Sequence, residues 1–357
     1  MKYTGLFLLL LLALSTTVHA QEEAPGNYQA ITAENLDQLI EIASFNCPGD
    51  MLYSAITSIH NNTVAYYCVF DESGDYDRII TIYSLETDEV LWQLPAPSTL
   101  ANFHLVSDDM IILDMQSQIQ VVTSADEMPV FTVEGIISIQ LSPDNQLLTL
   151  AVGNYSAGNI EVYRLPDLEK LDQEFDYEGV PTIGLSASEH GLLAIGEGLT
   201  RIRVYEIGSG NIIMDRPGTE FEHEYPYEPF DNFIFSPGAD RLLVGECTVI
   251  QMGCFGIGLT LFEIESGTIL QTQSFELETS NFVGFTDENT LLIADGCYNV
   301  LSTLTLDDLS ATPLPVEIEQ TCLQRASAVS INQDGTLISA RDYSETETIY
   351  RIFGIPH

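Results

Sequence analysis

The sequence predicts an all-β fold: a seven-bladed β-propeller of four-stranded antiparallel blades, closed by an N-terminal strand that completes the last blade. Three observations predict it. First, one unit recurs along the chain, an alternating strand, a short polar turn and another apolar strand, as at 79–87, 160–165, 202–210 and 259–267. A module repeated at long intervals marks a repeat architecture. Second, the units begin near Ser54, Phe103, Ile136, Ile183, Phe233, Phe282 and Ala328. Their spacing of roughly 35–50 residues is close to the ~40–45 of a four-stranded blade. Third, the last unit is one strand short, whereas Leu39–Phe45 is a lone strand with no hairpin partner beside it. Pairing the surplus with the deficit closes the ring and removes an exposed edge.

Each element follows from the order of the chain. Residues 1–20 read as a secretory signal: Lys2 leads an apolar run, Leu6 to Leu14, and Val18-His19-Ala20 supplies small residues for cleavage. The run is too short to span a bilayer comfortably. No cysteine follows the cleavage point, and no later segment is long and apolar enough to span, so export without a membrane span is expected. Residues 21–38 form a polar lead-in, with Thr32 placed to cap a short helix through Ala33, Glu34, Asn35 and Leu36. Residues 39–357 form the single propeller domain. Within it, tight turns recur between first and second strands: Ser142-Pro143-Asp144-Asn145, Ser236-Pro237-Gly238 and Asn332-Gln333-Asp334-Gly335. Proline presets one turn dihedral, and Asp, Asn or Gly tolerates the next.

The turn SPDN followed by LLTLAV and IEVYRL, and the run FSPGADRLLVG followed by LTLFEIESGTIL, resemble WD40-type repeats. The resemblance implies a rigid closed propeller used as a binding platform. The chain has no Trp-Asp dipeptide; Tyr83, Tyr163, Tyr205 and Phe262 stand where tryptophan would. It also lacks the Gly-His pair of that family. The implication therefore reaches the fold and no particular partner.

Charge narrows the partners. Asp and Glu number 53 against 11 Lys and Arg, a formal net charge of −42. Such a chain repels nucleic-acid phosphates and anionic membranes. A protein or peptide partner, cationic where the charge itself is used, is the expected ligand class; the oligomeric state is not encoded. The acids are read first as a solubility device and second as a recognition surface. Long loops gather acids with aromatics: Glu220, Phe221, Glu222, Glu224, Tyr225 and Tyr227 lie between the fourth and fifth blades, and Tyr343 lies in the seventh. These are the candidate binding residues.

Six cysteines remain after cleavage, an even number in an exported chain. Six allow fifteen pairings. In a propeller, the loops leaving second strands and those entering first strands share one face. On that face Cys47 falls near Cys68, Cys247 near Cys254 and Cys297 near Cys322, which gives three expected disulfides. Asp71, Ser73, Asp75 and Asp77 place oxygens at alternate positions, like the start of a calcium loop. The glycine after the third ligand and the glutamate at position twelve are missing, so a plain acidic turn is the leading reading and calcium the alternative. No other cofactor is expected. No catalytic residue is assigned, because no Gly-x-Ser-x-Gly, His-Glu-x-x-His or phosphate loop occurs. A non-enzymatic binding platform is the leading function, with a metal-dependent propeller hydrolase of lactonase type as the alternative. Such a hydrolase would assemble its site in the central channel and would leave no local motif.

Overall fold

The computed structural model describes residues 28–32, 34–35, 38–48, 57–70, 77–115, 117–125, 129, 131–197, 201–217, 232–250, 254–275, 280–295, 300–317, 329–332, 334–343 and 347–357. These residues form seven four-stranded antiparallel sheets. Blades 1 to 6 span 57–95, 102–134, 136–178, 181–217, 232–275 and 280–317. In each, the strands pair in sequence order. Blade 7 is composite: its three inner strands lie within 329–354, and Ile40–Pro48 supplies the outer one.

The alternating residues of the strands explain the stacking. A strand buried on both faces carries apolar side chains at nearly every position. The second strands Met110–Asp114 and Leu192–Glu197 are buried along almost their whole length. The outer strands read differently: Glu169–Glu178 alternates exposed and inward positions, as a strand at the circumference should. Seven apolar clusters follow, each bridging one pair of neighbouring blades. One such cluster joins Leu105 and Ile111 of blade 2 to Ile80 and Ile82 of blade 1. Another joins Ile338 and Phe353 of blade 7 to Leu292 of blade 6. The residues at the tryptophan position, Tyr83, Tyr163, Tyr205 and Phe262, are all buried in these clusters.

The closing strand is longer than Leu39–Phe45. Ile40 pairs with Gly354 at one end and Cys47 with Thr348 near the other. Cys47 therefore belongs to the closing strand, not to the loop entering blade 1. Its disulfide to Cys68 joins the outer strand of blade 7 to the second strand of blade 1, with 5.4 Å between the Cα atoms.

Where the sequence reads as a short helix after Thr32, the described residues make a turn. The Asn35 carboxamide accepts from the Thr32 N–H at 2.7 Å and donates to the Ala30 carbonyl at 2.9 Å. An asparagine side chain that bonds locally to backbone competes with helix in this way. The lead-in is nevertheless docked. Gln29 N–H donates to the Ile355 carbonyl at 2.8 Å, Ile31 N–H donates to Gly335 at 3.0 Å, and the Ile31 side chain is fully buried.

Candidate functional site

Every first strand runs from one face of the ring to the other. It enters at the face of the blade-to-blade connections and ends at the turn into its second strand. The two mouths of the central channel are thus built from different parts of the repeat.

The turn mouth is described apart from residue 333, and its construction in blades 3 to 7 starts from one residue per blade. Ser142, Ser186, Ser236, Thr286 and Asn332 each follow the last apolar residue of a first strand, and each is buried. Ser142 Oγ accepts from Leu147 N–H at 2.9 Å, Ser186 Oγ from Leu192 at 2.8 Å and Ser236 Oγ from Arg241 at 3.1 Å. Asn332 Oδ1 accepts from Leu337 at 2.8 Å. In blade 6 the next residue takes over: Asp287 Oδ1 accepts from Asn289 and Thr290, each at 2.8 Å. The buried oxygen satisfies amides that the tight turn would otherwise strand.

Turns also bond to neighbouring turns. Asn332 Nδ2 of blade 7 donates to the Asn61 carbonyl of blade 1 at 3.2 Å. Thr63 of blade 1 donates to Asp108 of blade 2 at 2.5 Å. Asn145 of blade 3 reaches the Leu105 carbonyl of blade 2 at 3.4 Å and His60 Nδ1 of blade 1 at 2.9 Å. Ser188 of blade 4 gives its N–H to Asp144 Oδ2 of blade 3 at 2.8 Å and adds its hydroxyl to the same oxygen. Arg241 of blade 5 donates to the Glu288 carbonyl of blade 6 at 3.2 Å. At the remaining two contacts the backbones pack without room for a side chain. A Cβ on Gly184 would sit 2.7 Å from Phe233 Cβ, and one on Gly335, at φ +70°, 2.7 Å from the Thr286 carbonyl.

Electrostatics at this mouth follow from the same contacts. Burial raises the Asp144 pKa, but hydrogen bonds from Ser142, Ser188 and Gln146 outweigh it and hold the carboxyl below its ordinary value. Asp144 is therefore an anion across the neutral range. His104, on the first strand of blade 2, is pushed down to about 4 by burial and is neutral. Its Nε2 is buried without a hydrogen-bond partner. His60 is also lowered by burial, partly offset by Asp108. Inside the ring this mouth opens into a cavity of about 1040 Å³, lined by the first strands and their turns.

The other mouth is the face of the blade-to-blade connections, and of the residues singled out from the sequence only some are described. Glu220, Phe221, Glu222, Glu224, Tyr225 and Tyr227 lie outside the described residues, as do Asp71, Ser73, Asp75, Cys297 and Cys322. Tyr343 ends the second strand of blade 7, opposite Thr348, and Asp77 starts the third strand of blade 1, opposite Phe70. Cys247 and Cys254 stand on the two arms of the blade 5 hairpin, opposite Ile257 and Ile250 respectively. At this same face a repeated feature escaped the sequence reading. The second strands of blades 2, 4, 5, 6 and 7 carry a carboxylate where they approach it: Asp114, Glu197, Glu246, Asp295 and Asp342. Glu197 is ion-paired with Arg203, and Glu246 is fully buried. Aligning LLAIGE, LLVGE, LLIAD and LISARD would have revealed most of them.

Among the described residues, no three of His, Cys, Asp and Glu lie close enough together to hold a metal ion. Among the same residues, no helix is long and apolar enough to cross a membrane.

The fold defines a class, a seven-bladed β-propeller. No family model matches the chain, and no curated protein matches it. Solved structures do. A chain of the Kuenenia stuttgartiensis hydrazine synthase is similar with a TM-score of 0.56 at 15% identity, over 84% of this chain and 97% of that one. A chain in the crystal structure of the mitotic checkpoint complex is similar with a TM-score of 0.61 at 12% identity, over 92% of this chain and 98% of that one. Likeness at such identities is likeness of fold.

Proposed function

We propose that the protein is an exported, non-enzymatic binding platform that recognises a protein or peptide partner on the face of the blade-to-blade connections. The observation that carries this reading is the carboxylate placed near the same end of five second strands, in a ring held rigid by turn-to-turn hydrogen bonds. Glu197 is paired with Arg203 and Glu246 is buried, so the acids that recruit a cationic partner are Asp114, Asp295 and Asp342 together with those of the connecting loops. Acids gathered at one face raise the local concentration of such a partner and steer its approach. The Cys47–Cys68 bond supports export, since disulfides persist in oxidising compartments. One of the similar folds sits inside a multi-protein complex, which is consistent with a platform role.

The test is capture of extracellular partners by the wild type and by a variant carrying Asp114→Asn, Asp295→Asn and Asp342→Asn together with Glu220→Gln, Glu222→Gln and Glu224→Gln, at low and high salt. Capture should fall in the variant and fall with salt, because exposed charges are screened beyond about 8 Å at physiological ionic strength. Equal capture in all four conditions would reduce the acids of this face to a solubility device.

A further inference from the structure

We propose that His60 is an acid-released latch: at neutral pH it ties the turns of blades 1 and 3 together across blade 2, and taking up a proton undoes the tie and loosens the turn mouth of the channel. The observation that carries this is a carboxamide at each ring nitrogen, one from its own turn and one from blade 3. Nδ1 lies 2.9 Å from Asn145 Nδ2, and Nε2 lies 3.1 Å from Asn61 Nδ2. Both asparagines sit in left-handed turn positions, at φ 53° and 49°, which asparagine tolerates better than most residues. A neutral imidazole has one N–H to give and one lone pair to offer. Asn145 decides which nitrogen does which. Its Nδ2 also reaches the Leu105 carbonyl of blade 2 at 3.4 Å, and a carbonyl accepts only from the NH2 end of a carboxamide. That end therefore faces His60 Nδ1 as well, Nδ1 is the acceptor, and the proton sits on Nε2. Asn61 is exposed, so its carboxamide is free to turn its oxygen to Nε2–H.

A proton added at Nδ1 points an N–H at the Asn145 NH2, donor against donor. Turning Asn145 over gives the ring an acceptor but sets a carboxamide oxygen against the Leu105 carbonyl. Neither arrangement satisfies all three groups, so the charged ring parts from blade 3. The surrounding carboxylates do not replace that partner. Asp108 of blade 2 is the charge that acts on the ring, and it already accepts from Thr63 at 2.5 Å. Asp109 accepts from Ser107 at 2.7 Å, Asp144 of blade 3 is held by Ser188, and Asp334 of blade 7 by the Thr336 hydroxyl at 2.6 Å. Burial lowers the His60 pKa from its ordinary 6.5, and Asp108 opposes that shift without cancelling it. The folded value is thus below the unfolded one: the tie is fully present above pH 6.5 and is lost as pH falls through the folded value. The latch sits where turns converge. Asn145 lines the cavity, and the Asn61 carbonyl accepts from Asn332 Nδ2 of blade 7, so release reaches the mouth on both sides of His60.

The test follows the histidine ring nitrogens by NMR from pH 8 to pH 5 in the full mature chain, alongside hydrogen exchange of the turn at 142–147. Three proteins are compared: the wild type, His60→Gln and Asn145→Asp. The His60 signal is the one missing from His60→Gln. It should show the proton on Nε2 at neutral pH and a midpoint below 6.5. In the wild type, protection of the turn should fall with that midpoint, by roughly three- to tenfold beyond any fall in His60→Gln, the scale of one hydrogen bond. Asn145→Asp sets a carboxylate where the NH2 stood, and an anion beside the ring favours the charged form. It should raise the midpoint by about one unit or more and reverse the response, so that the turn tightens in acid. A proton on Nδ1 at neutral pH, a midpoint that Asn145→Asp leaves unmoved, or an equal loss of protection in His60→Gln overturns the proposal. Should a variant lose its fold by circular dichroism, the wild type decides alone: Nε2–H with protection that follows the His60 midpoint supports the latch, and Nδ1–H or protection that ignores the midpoint overturns it.

Discussion

The interface between blades 7 and 1 and the interface between blades 5 and 6 solve the same packing problem with different materials. Between blades 5 and 6 the buried cluster is aliphatic: Leu243, Leu259, Leu261, Leu291, Ile293, Leu304, Leu306 and Leu309. Between blades 7 and 1 it is aromatic and cross-linked. Phe45 stacks on Tyr66 at 4.7 Å and meets Tyr83 edge-on at 4.9 Å. Tyr350 donates its hydroxyl to the Tyr67 carbonyl at 2.6 Å, and Cys47 is bonded to Cys68. The reason lies in connectivity. Blades 5 and 6 are each a continuous stretch of chain, so local pairing builds them before they meet. Blade 7 exists only when the two ends of the propeller domain meet, and a fluctuation that peels Ile40–Pro48 away opens the ring. Directional contacts and a covalent bond are concentrated where the chain itself gives least support.

Five measurements break or sharpen this contrast. Deleting residues 21–45 removes most of the closing strand and uncovers the edge of Glu347–Gly354. Cooperative thermal unfolding should be lost or shifted down by tens of degrees, on the order expected when several kcal/mol of packing go at once. An unchanged melting curve would show that the ring does not depend on closure. Next comes Phe45→Ala, which should cost about 3–5 kcal/mol in denaturant unfolding, against about 2–5 for Leu304→Ala in the aliphatic interface. A larger loss at Leu304 would mean the seam is no more critical than an ordinary interface.

The Cys47→Ala, Cys68→Ala pair should cost about 3 kcal/mol, the size expected for a short closed loop. Reductant should then destabilise the wild type more than the variant. Peptide mapping without reduction should return Cys47 with Cys68, and it also tests the proposed pairs Cys247–Cys254 and Cys297–Cys322.

His104 gives a pH-dependent test away from the seam. Its folded pKa, about 4, is below the unfolded value of 6.5, so the unfolded chain binds the extra proton. The stability is fully present above pH 6.5 and is lost as pH falls toward 4. The loss is about 1–3 kcal/mol, discounted because the residue lines a cavity that water reaches. Unfolding of the wild type and His104→Leu at pH 7 and pH 5 should show the smaller decline in the variant; parallel declines would remove His104 as the cause. The smallest effect belongs to Ser188→Ala, about 1 kcal/mol for the lost bond to Asp144. It should diminish as the pH falls below the Asp144 pKa, since the carboxylate contributes only while ionised.

The sequence by itself determined the blade. Alternation of period two in runs such as 160–165 is a local consequence of strand geometry, and so is the choice of Ser-Pro-Asp-Asn for a turn. Both are written where they act. The surplus strand, read as Leu39–Phe45, was legible too, because counting strands needs no coordinates. The tertiary structure alone decided what distant blades do to one another. Ser188 bonds Asp144 across 44 residues, and Asn332 reaches Asn61 across 271. Neither pair has a local signature, because each depends on how one sheet rotates against the next. Cys47 was placed in a loop by its sequence neighbours, yet pairing with Thr348 carries the closing strand past it and turns its disulfide into a clasp between blades. The cavity is likewise a property of the ring: its lining comes from the short first strand of every blade, the turns of blades 3 to 7 and Ala30 of the lead-in, brought together only by closure.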